Sequence, residues 1–210
     1  PLERLDGSCL DPMELPLQLR MVGRANTGNA ALAAIAGLCL GAPPDAVHAA
    51  LSRIEPPRRR LEVLRESGPI VIDDTVGHPD SITAVCEIVE RVPHERVRAV
   101  FCVRGMRGTE INRHDAEALA VWAERLRMDR VHVTSAVDTA DERNTVSVEE
   151  REALLSVLRR ENVTHAHHER LEDAITAVLS DVAPNDIVLL LGAQGMDAAA
   201  DIVRRHPSMR

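Results

Sequence analysis

There is no lysine in this chain: all 25 basic residues among its 210 are arginine, set against 33 acidic residues for a formal charge of -8. A phosphate loop of the G-x-x-x-x-G-K-[ST] type needs a lysine to reach the terminal phosphates, so none is encoded here. The acidic balance argues against a nucleic-acid-binding surface, which neutralises phosphates with an excess of basic groups. No run reaches the roughly 20 uninterrupted apolar residues of a membrane span, and nothing at the N-terminus has the layout of a signal peptide. Cysteine is scarce. Cys9, Cys39, Cys86 and Cys102 are too widely spaced for a C-x-x-C site, and their apolar neighbours predict buried thiols in a reducing, cytoplasmic compartment. Neither G-x-S-x-G nor H-E-x-x-H occurs. The chain opens on Pro1, which reads as a fragment or a processed product.

What is present suffices for a normal core, since 45% of the residues are apolar. Alternation from Leu15 to Val22 predicts a half-buried strand, and the alanine-rich stretch 26–40 predicts a helix with Leu32, Ile35, Ala36 and Cys39 on one face. A second helix is expected from Pro44 or Asp45 to Ile54. Pro56-Pro57 cannot continue it and, with Arg58-Arg59-Arg60, marks a boundary between domains 1–57 and 58–210. Beyond it, strand patterns at 61–65, 70–74, 97–102, 129–134, 162–166 and 186–191 alternate with helical ones at 80–91, 112–127, 147–160, 169–182 and 195–205. That rhythm predicts an α/β, doubly wound, mostly parallel Rossmann-like sheet. Ser147, Asn112 and Asp80 suit caps or first turns.

The chemistry is expected at the C-terminal strand ends. Ile70 to Ser81 is an apolar run closing on Asp73 and Asp74 before a proline-led helix start, a position where open α/β sheets bind phosphates and their metal ions. Either carboxylate could ligate Mg²⁺, hydrogen-bond a ribose, accept from an arginine, or simply cap the next helix. Arg60 offers a fork for phosphate or carboxylate, although with Arg58 and Arg59 it also reads as a solvated charge run. Gly105-Met106-Arg107-Gly108 can turn sharply and present N–H groups and an arginine to an anion. Gly192 to Gly195 ends the last strand in similar fashion. His165, His167 and His168 read as a solvated edge rather than a metal site, and Trp122 as core. The loop from Asp138 to Thr145 is polar and expected to be mobile.

In order, G-x-x-N-x-x-N-A (Gly23 to Ala30), R-x-E (Arg60 to Glu62) and D-D-x-x-x-x-P-D-S (Asp73 to Ser81) resemble the C-terminal half of the Mur ligase family. The resemblance implies the helical tail of a truncated central ATPase domain in 1–57, followed by the C-terminal Rossmann-like domain. It implies ATP-dependent joining of an amino acid to a carboxylate acceptor through an acyl phosphate, with ATP and Mg²⁺ as cofactors. By motif, Asn26 and Asn29 match the asparagines bordering the adenine pocket, and Arg60 the hinge arginine near the phosphates. Asp73 and Asp74 match the start of D-D-Y-A-H-N-P, with His78 one position from that motif's histidine. Arg107 matches the arginine of G-G-D-R, and Arg113 lies near that of K-R; both fall to the amino-acid substrate. The phosphate loop and Mg²⁺-binding glutamate of the family would precede residue 1, so a missing N-terminal ATPase half is an expected partner. Thr75-Val76-Gly77-His78 replaces Tyr-Ala-His-Asn, and Ala25 replaces a histidine. These departures suit a degenerate, non-catalytic nucleotide- or subunit-binding module as the alternative. Peptidoglycan precursor, cyanophycin-type and folylpolyglutamate-type ligases share this organisation, and the full-sized C-terminal half points to the first two.

Overall fold

A computed structural model of the protein describes residues 3–20, 23–65 and 68–209. The chain divides into two compact units, Pro1–Pro57 and Arg58–Arg210.

The first unit holds α1 (Arg24–Cys39) and α2 (Pro44–Leu51), the latter with proline at its start and Asp45 in its first turn, where a fixed φ and a negative charge both favour a helix N-terminus. The buried face of α1 is Ala30, Ala34 and Leu38, which meets Val47, Leu51 and Leu10. Leu32, Ile35 and Ala36, expected inside, are exposed, and Cys39 is half-buried. The helix is apolar on nearly every side, so its sequence does not single out a face. α2 ends at Leu51 rather than Ile54, because the chain turns where Arg53 N–H bonds to Ala50 O. Leu15, Leu17 and Leu19 are alternately half-buried against this core, yet 15–20 is not a strand. Alternating burial needs only an extended chain on an apolar surface, whereas a strand needs a hydrogen-bonded neighbour. Met21 and Val22 lie outside the described residues.

The second unit is a six-stranded α/β sheet in the order β1-β2-β6-β3-β4-β5. Its strands are β1 (Glu62–Arg65), β2 (Ile70–Asp74), β3 (Val97–Cys102), β4 (Val131–Thr134), β5 (His165–His168) and β6 (Ile187–Leu191). All neighbours run parallel except β1, which pairs with β2 antiparallel. Side chains alternate across each strand. Ile72, Ala99, Phe101, Val133 and Leu189 face α3 (Pro79–Val89), α4 (Thr109–Arg125) and α5 (Val148–Arg160). Val71, Val100, Val188 and Leu190 face α6 (Leu171–Leu179) and α7 (Ala199–Arg205). Because β6 lies between β2 and β3 yet leads to α7 on the opposite face from α3 and α4, the ends of β2, β6 and β3 form the topological switch point of the sheet.

Cys86 and Cys102 are buried, but Cys9 is exposed and Cys39 half-buried, and all four are free thiols. The expectation of four buried thiols therefore fails in the first unit, which has too small a core to cover them. Trp122 is core, 4% exposed, and its Nε1–H donates to Thr83 Oγ1 at 3.1 Å. Among the described residues no helix is long and apolar enough to cross a membrane.

Candidate functional site

At the mouth of β2, successive side chains point to opposite faces, and both aspartates are taken up by the segment that enters the sheet. Arg59 Nε–H donates to Asp73 Oδ1 at 3.2 Å, and Leu61 N–H donates to Asp74 Oδ2 at 2.6 Å. The buried Arg59 guanidinium also donates to the carbonyls of Gly192 (2.5 Å) and Ala193 (3.0 Å) and to Asp197 Oδ1 (2.5 Å). One side chain thus ties β2 to the turn after β6. Arg59 and Leu61 hold left-handed φ angles of 56° and 53°. Such backbone costs about 1 kcal/mol or more per residue and persists only where surrounding bonds over-determine it, as the two aspartates do here. Burial pushes the Asp73 carboxyl up to about 6 despite the opposing Arg59 charge, and burial also raises Asp74 against the Leu61 N–H and Arg60.

Arg60, the arginine expected to work here, is exposed and donates one N–H to Thr75 O at 3.1 Å. The residue beside it, Arg59, is the buried hub that sequence reasoning missed. In an Arg58-Arg59-Arg60 run nothing in the spacing says which side chain turns inward. The aspartates make a poor Mg²⁺ site. Asp74 Oδ2 is taken by a backbone N–H, and Asp73 Oδ2, which has no partner, is buried. Among the described residues no group of three or more His, Cys, Asp or Glu is placed to hold a metal ion. The two carboxylates instead serve as acceptors, Asp73 for an arginine and Asp74 for a backbone N–H.

His78 precedes α3, where the Ser81 hydroxyl accepts from Gly77 N–H (3.1 Å) and His78 N–H (3.2 Å) and donates to His78 O (2.6 Å). Its imidazole is more than half exposed, 4.0 Å from Asp80. Arg104, at the end of β3, donates to Gly77 O at 2.5 Å and so links the two loops. Asn112, expected as a cap or first-turn residue, lies fully buried at the close of the first turn of α4, which starts three residues earlier. It accepts from Arg104 N–H (2.8 Å) and donates to the carbonyls of Arg104 (2.9 Å) and Gly108 (3.0 Å). One turn on, Asp115 is fully buried and neither carboxylate oxygen has a hydrogen-bond partner; burial pushes it up to about 6, with Arg104 the strongest opposing charge.

The turn from Gly105 to Gly108 does present N–H groups to an anion, and that anion is the protein's own. Glu150 Oε1 accepts from Arg107 N–H and Gly108 N–H, both at 2.8 Å, and Oε2 from Met106 N–H at 3.2 Å and Ser147 N–H at 3.0 Å. The backbone cradle is therefore filled, and only side chains here can meet an external anion. Arg107 is exposed, one N–H returning to Met106 O at 3.1 Å, while Arg113 pairs with Glu110 one turn back on α4. Asn26 and Asn29 lie on α1 in the first unit, half-buried and exposed respectively. Within the second unit the structure brings Arg60, Asp73 and Asp74 together at β2, and His78, Arg104 and Arg107 along the adjoining loops.

The remaining loops are more ordered in their bonding than their composition implies. Asp138 accepts from Leu171 N–H (2.7 Å) at the start of α6, and Thr139 Oγ1 donates to Gly195 O, pinning the 138–145 loop expected to be mobile. β5 is a half-buried edge strand on which His168 Nε2 stands 3.0 Å from His132 Nδ1.

The family model described as "Mur ligase, glutamate ligase domain" matches residues 59–194. A UDP-N-acetylmuramate–L-alanine ligase of Desulfitobacterium hafniense is 29% identical over 180 residues, covering 83% of this chain and 38% of that protein. Among solved structures, the UDP-N-acetylmuramate–alanine ligase of Thermotoga maritima superposes with a TM-score of 0.66 at 22% identity, over 92% of this chain and 40% of that one. Mycobacterium tuberculosis folylpolyglutamate synthase complexed with ADP superposes with a TM-score of 0.67 at 22% identity, over 90% of this chain and 42% of that one. The chain thus spans about two fifths of the length of such relatives.

Proposed function

This chain belongs to the Mur ligase family, and from that membership we propose that it is the C-terminal portion of an ATP-dependent ligase that joins an amino acid to a carboxylate through an acyl phosphate. Residues 58–210 serve as the C-terminal domain and 1–57 as the tail of the central ATPase domain. The observation that carries the reading is the family match across 59–194, which covers the strand-end loops bearing Arg60, Asp73, His78 and Arg107. The first unit supports it too. Leu32, Ile35 and Leu40 are exposed, and Ile35 lines an apolar cavity of about 420 Å³ with Leu10, Leu15, Leu17 and Leu38, a surface suited to packing against further ATPase-domain structure.

In this reading catalysis is mainly positioning and charge stabilisation. ATP supplies the phosphoryl group that activates the acceptor carboxylate. Asn26 and Asn29 border the adenine, and the exposed Arg60 fork approaches the phosphates. Arg107, with Arg113, receives the carboxylate of the incoming amino acid. Cytoplasmic peptidoglycan-precursor synthesis is the favoured setting, and L-alanine is the first amine to test, since the Desulfitobacterium hafniense relative is named for it. Titration of the ¹⁵N-labelled chain with L-alanine should give saturable shifts centred on residues 104–113, lost in Arg107→Ala. Shifts that persist unchanged in that variant would refute the assignment.

The occupied state of Asp73 and Asp74 favours a second reading, a non-catalytic member that binds nucleotide or a subunit. Nucleotide binding without any response to amino acids would support it.

A further inference from the structure

We propose that Glu150 is a positioning residue for substrate recognition: its carboxylate moulds the Met106–Gly108 turn so that the loop offers a single arginine fork to a carboxylate rather than a backbone cradle to a phosphate. This rests on the reading of Arg107 as the residue that receives the amino acid.

Helix capping alone does not account for Glu150. A capping box needs only the reciprocal bonds Ser147 N–H to Glu150 Oε2 (3.0 Å) and Glu150 N–H to Ser147 Oγ (3.1 Å). Glu150 makes those two and then accepts three more, from Met106, Arg107 and Gly108, some forty residues earlier in the chain. The residue is 5% exposed, and a buried carboxylate is costly unless fully hydrogen-bonded. Four backbone N–H donors meet that requirement, and they hold its carboxyl below the usual range against the burial that would raise it.

The turn is keyed to the same partner from its other side. A Cβ at Gly105 would stand 2.0 Å from Asn144 O and 2.6 Å from Thr145 O, so the loop lies directly against the chain that leads into α5. Met106 is held at a left-handed φ of 56°. Successive N–H groups at such a turn, at the head of a helix, would otherwise bind a phosphate. With Glu150 inside, a phosphate would meet a negative charge, and recognition passes to the Arg107 side chain. A planar guanidinium matches a carboxylate through paired N–H donors.

The test compares Glu150→Gln, Glu150→Asp and Ser147→Ala in the ¹⁵N-labelled 210-residue chain, reading amide exchange at 106–108 and the L-alanine titration together. Ser147→Ala removes the cap but leaves the loop bonds. Glu150→Gln should raise exchange of the three amides by about tenfold or more and weaken L-alanine binding several-fold. Glu150→Asp should restore part of both, and Ser147→Ala should change neither. Inorganic phosphate should perturb the turn in Glu150→Gln but not in the parent. Unchanged exchange in Glu150→Gln overturns the proposal, as does faster exchange with L-alanine binding intact while Arg107→Ala abolishes it. If Arg107→Ala itself binds L-alanine like the parent, the Arg107 reading fails and the positioning role fails with it.

Discussion

Arg59 Nε–H and Asp73 Oδ1 stand 3.2 Å apart at the mouth of β2, both side chains almost wholly withdrawn from solvent. The same guanidinium holds the turn after β6 through the Gly192 and Ala193 carbonyls. Removing one partner of such a pair leaves an uncompensated buried charge. Arg59→Ala should therefore destabilise the second unit by about 3–5 kcal/mol. Arg59→Lys should recover only a fraction, because an ammonium cannot reproduce the fork. Urea unfolding followed by circular dichroism measures both.

Asp115 gives a pH signature. Its carboxyl lies near 6 in the fold against an ordinary 3.8, so between these values the native state binds more protons than the unfolded state. Its contribution to stability must then fall as pH rises from about 4 to about 6 and stay flat above. Asp73 works in the same direction, and His132, held down to about 4 by burial, works in the opposite one. The comparison with Asp115→Asn isolates the single group. The variant should gain on the parent progressively from pH 4 to pH 6 in thermal unfolding, and a pH-independent difference would contradict the assignment.

Gly105→Ala should destabilise by about 1–3 kcal/mol, the usual cost of overpacking, because the obstructing atoms are backbone carbonyls that cannot rotate away. Gly28→Ala, where nothing lies within 4 Å of the added carbon, is the matched control in the first unit and should be neutral or slightly stabilising. Chemical denaturation of the two variants separates a local clash from a general intolerance of glycine replacement.

Phe101, 1% exposed at the centre of β3, is the only phenylalanine and fills the layer between the sheet and α3–α5. Phe101→Leu should cost less than Phe101→Ala, for which a loss of about 3–5 kcal/mol is expected from the cavity left behind. Equal effects would mean that the layer collapses around the gap.

The sheet was readable wherever strands are apolar. β2 and β3 fall on 70–74 and 97–102 as expected, since each is a short, largely buried run led by β-branched and other apolar residues. β5 lies at His165–His168 rather than 162–166, because a strand of histidines at a half-buried edge carries no hydrophobic signal. α4 begins at Thr109 rather than 112, with the left-handed Gly108 just outside the helix, so that Asn112 falls at the close of the first turn. The strand expected at 15–22 shows the opposite failure, a correct alternation over 15–20 that pairs with no neighbouring strand.

At the site, the aspartate pair was legible as a strand end, but its bonds were not. Which arginine of three turns inward depends on two left-handed residues that no propensity signals. The capping box is visible in the spacing of Ser147 and Glu150, whereas the other half of Glu150's bonding comes from a loop distant in sequence. Asp115 looks like an ordinary polar position on an amphipathic helix until packing buries it.

The central claim is that the chain is the C-terminal portion of an ATP-dependent ligase, with Asn26 and Arg60 among its nucleotide contacts. Calorimetric titration of the 210-residue chain with Mg·ATP, repeated with Asn26→Ala and Arg60→Ala, tests it most directly. The account predicts saturable binding at about millimolar affinity or better, weakened by roughly tenfold in each variant. Saturable binding indifferent to both substitutions would contradict it.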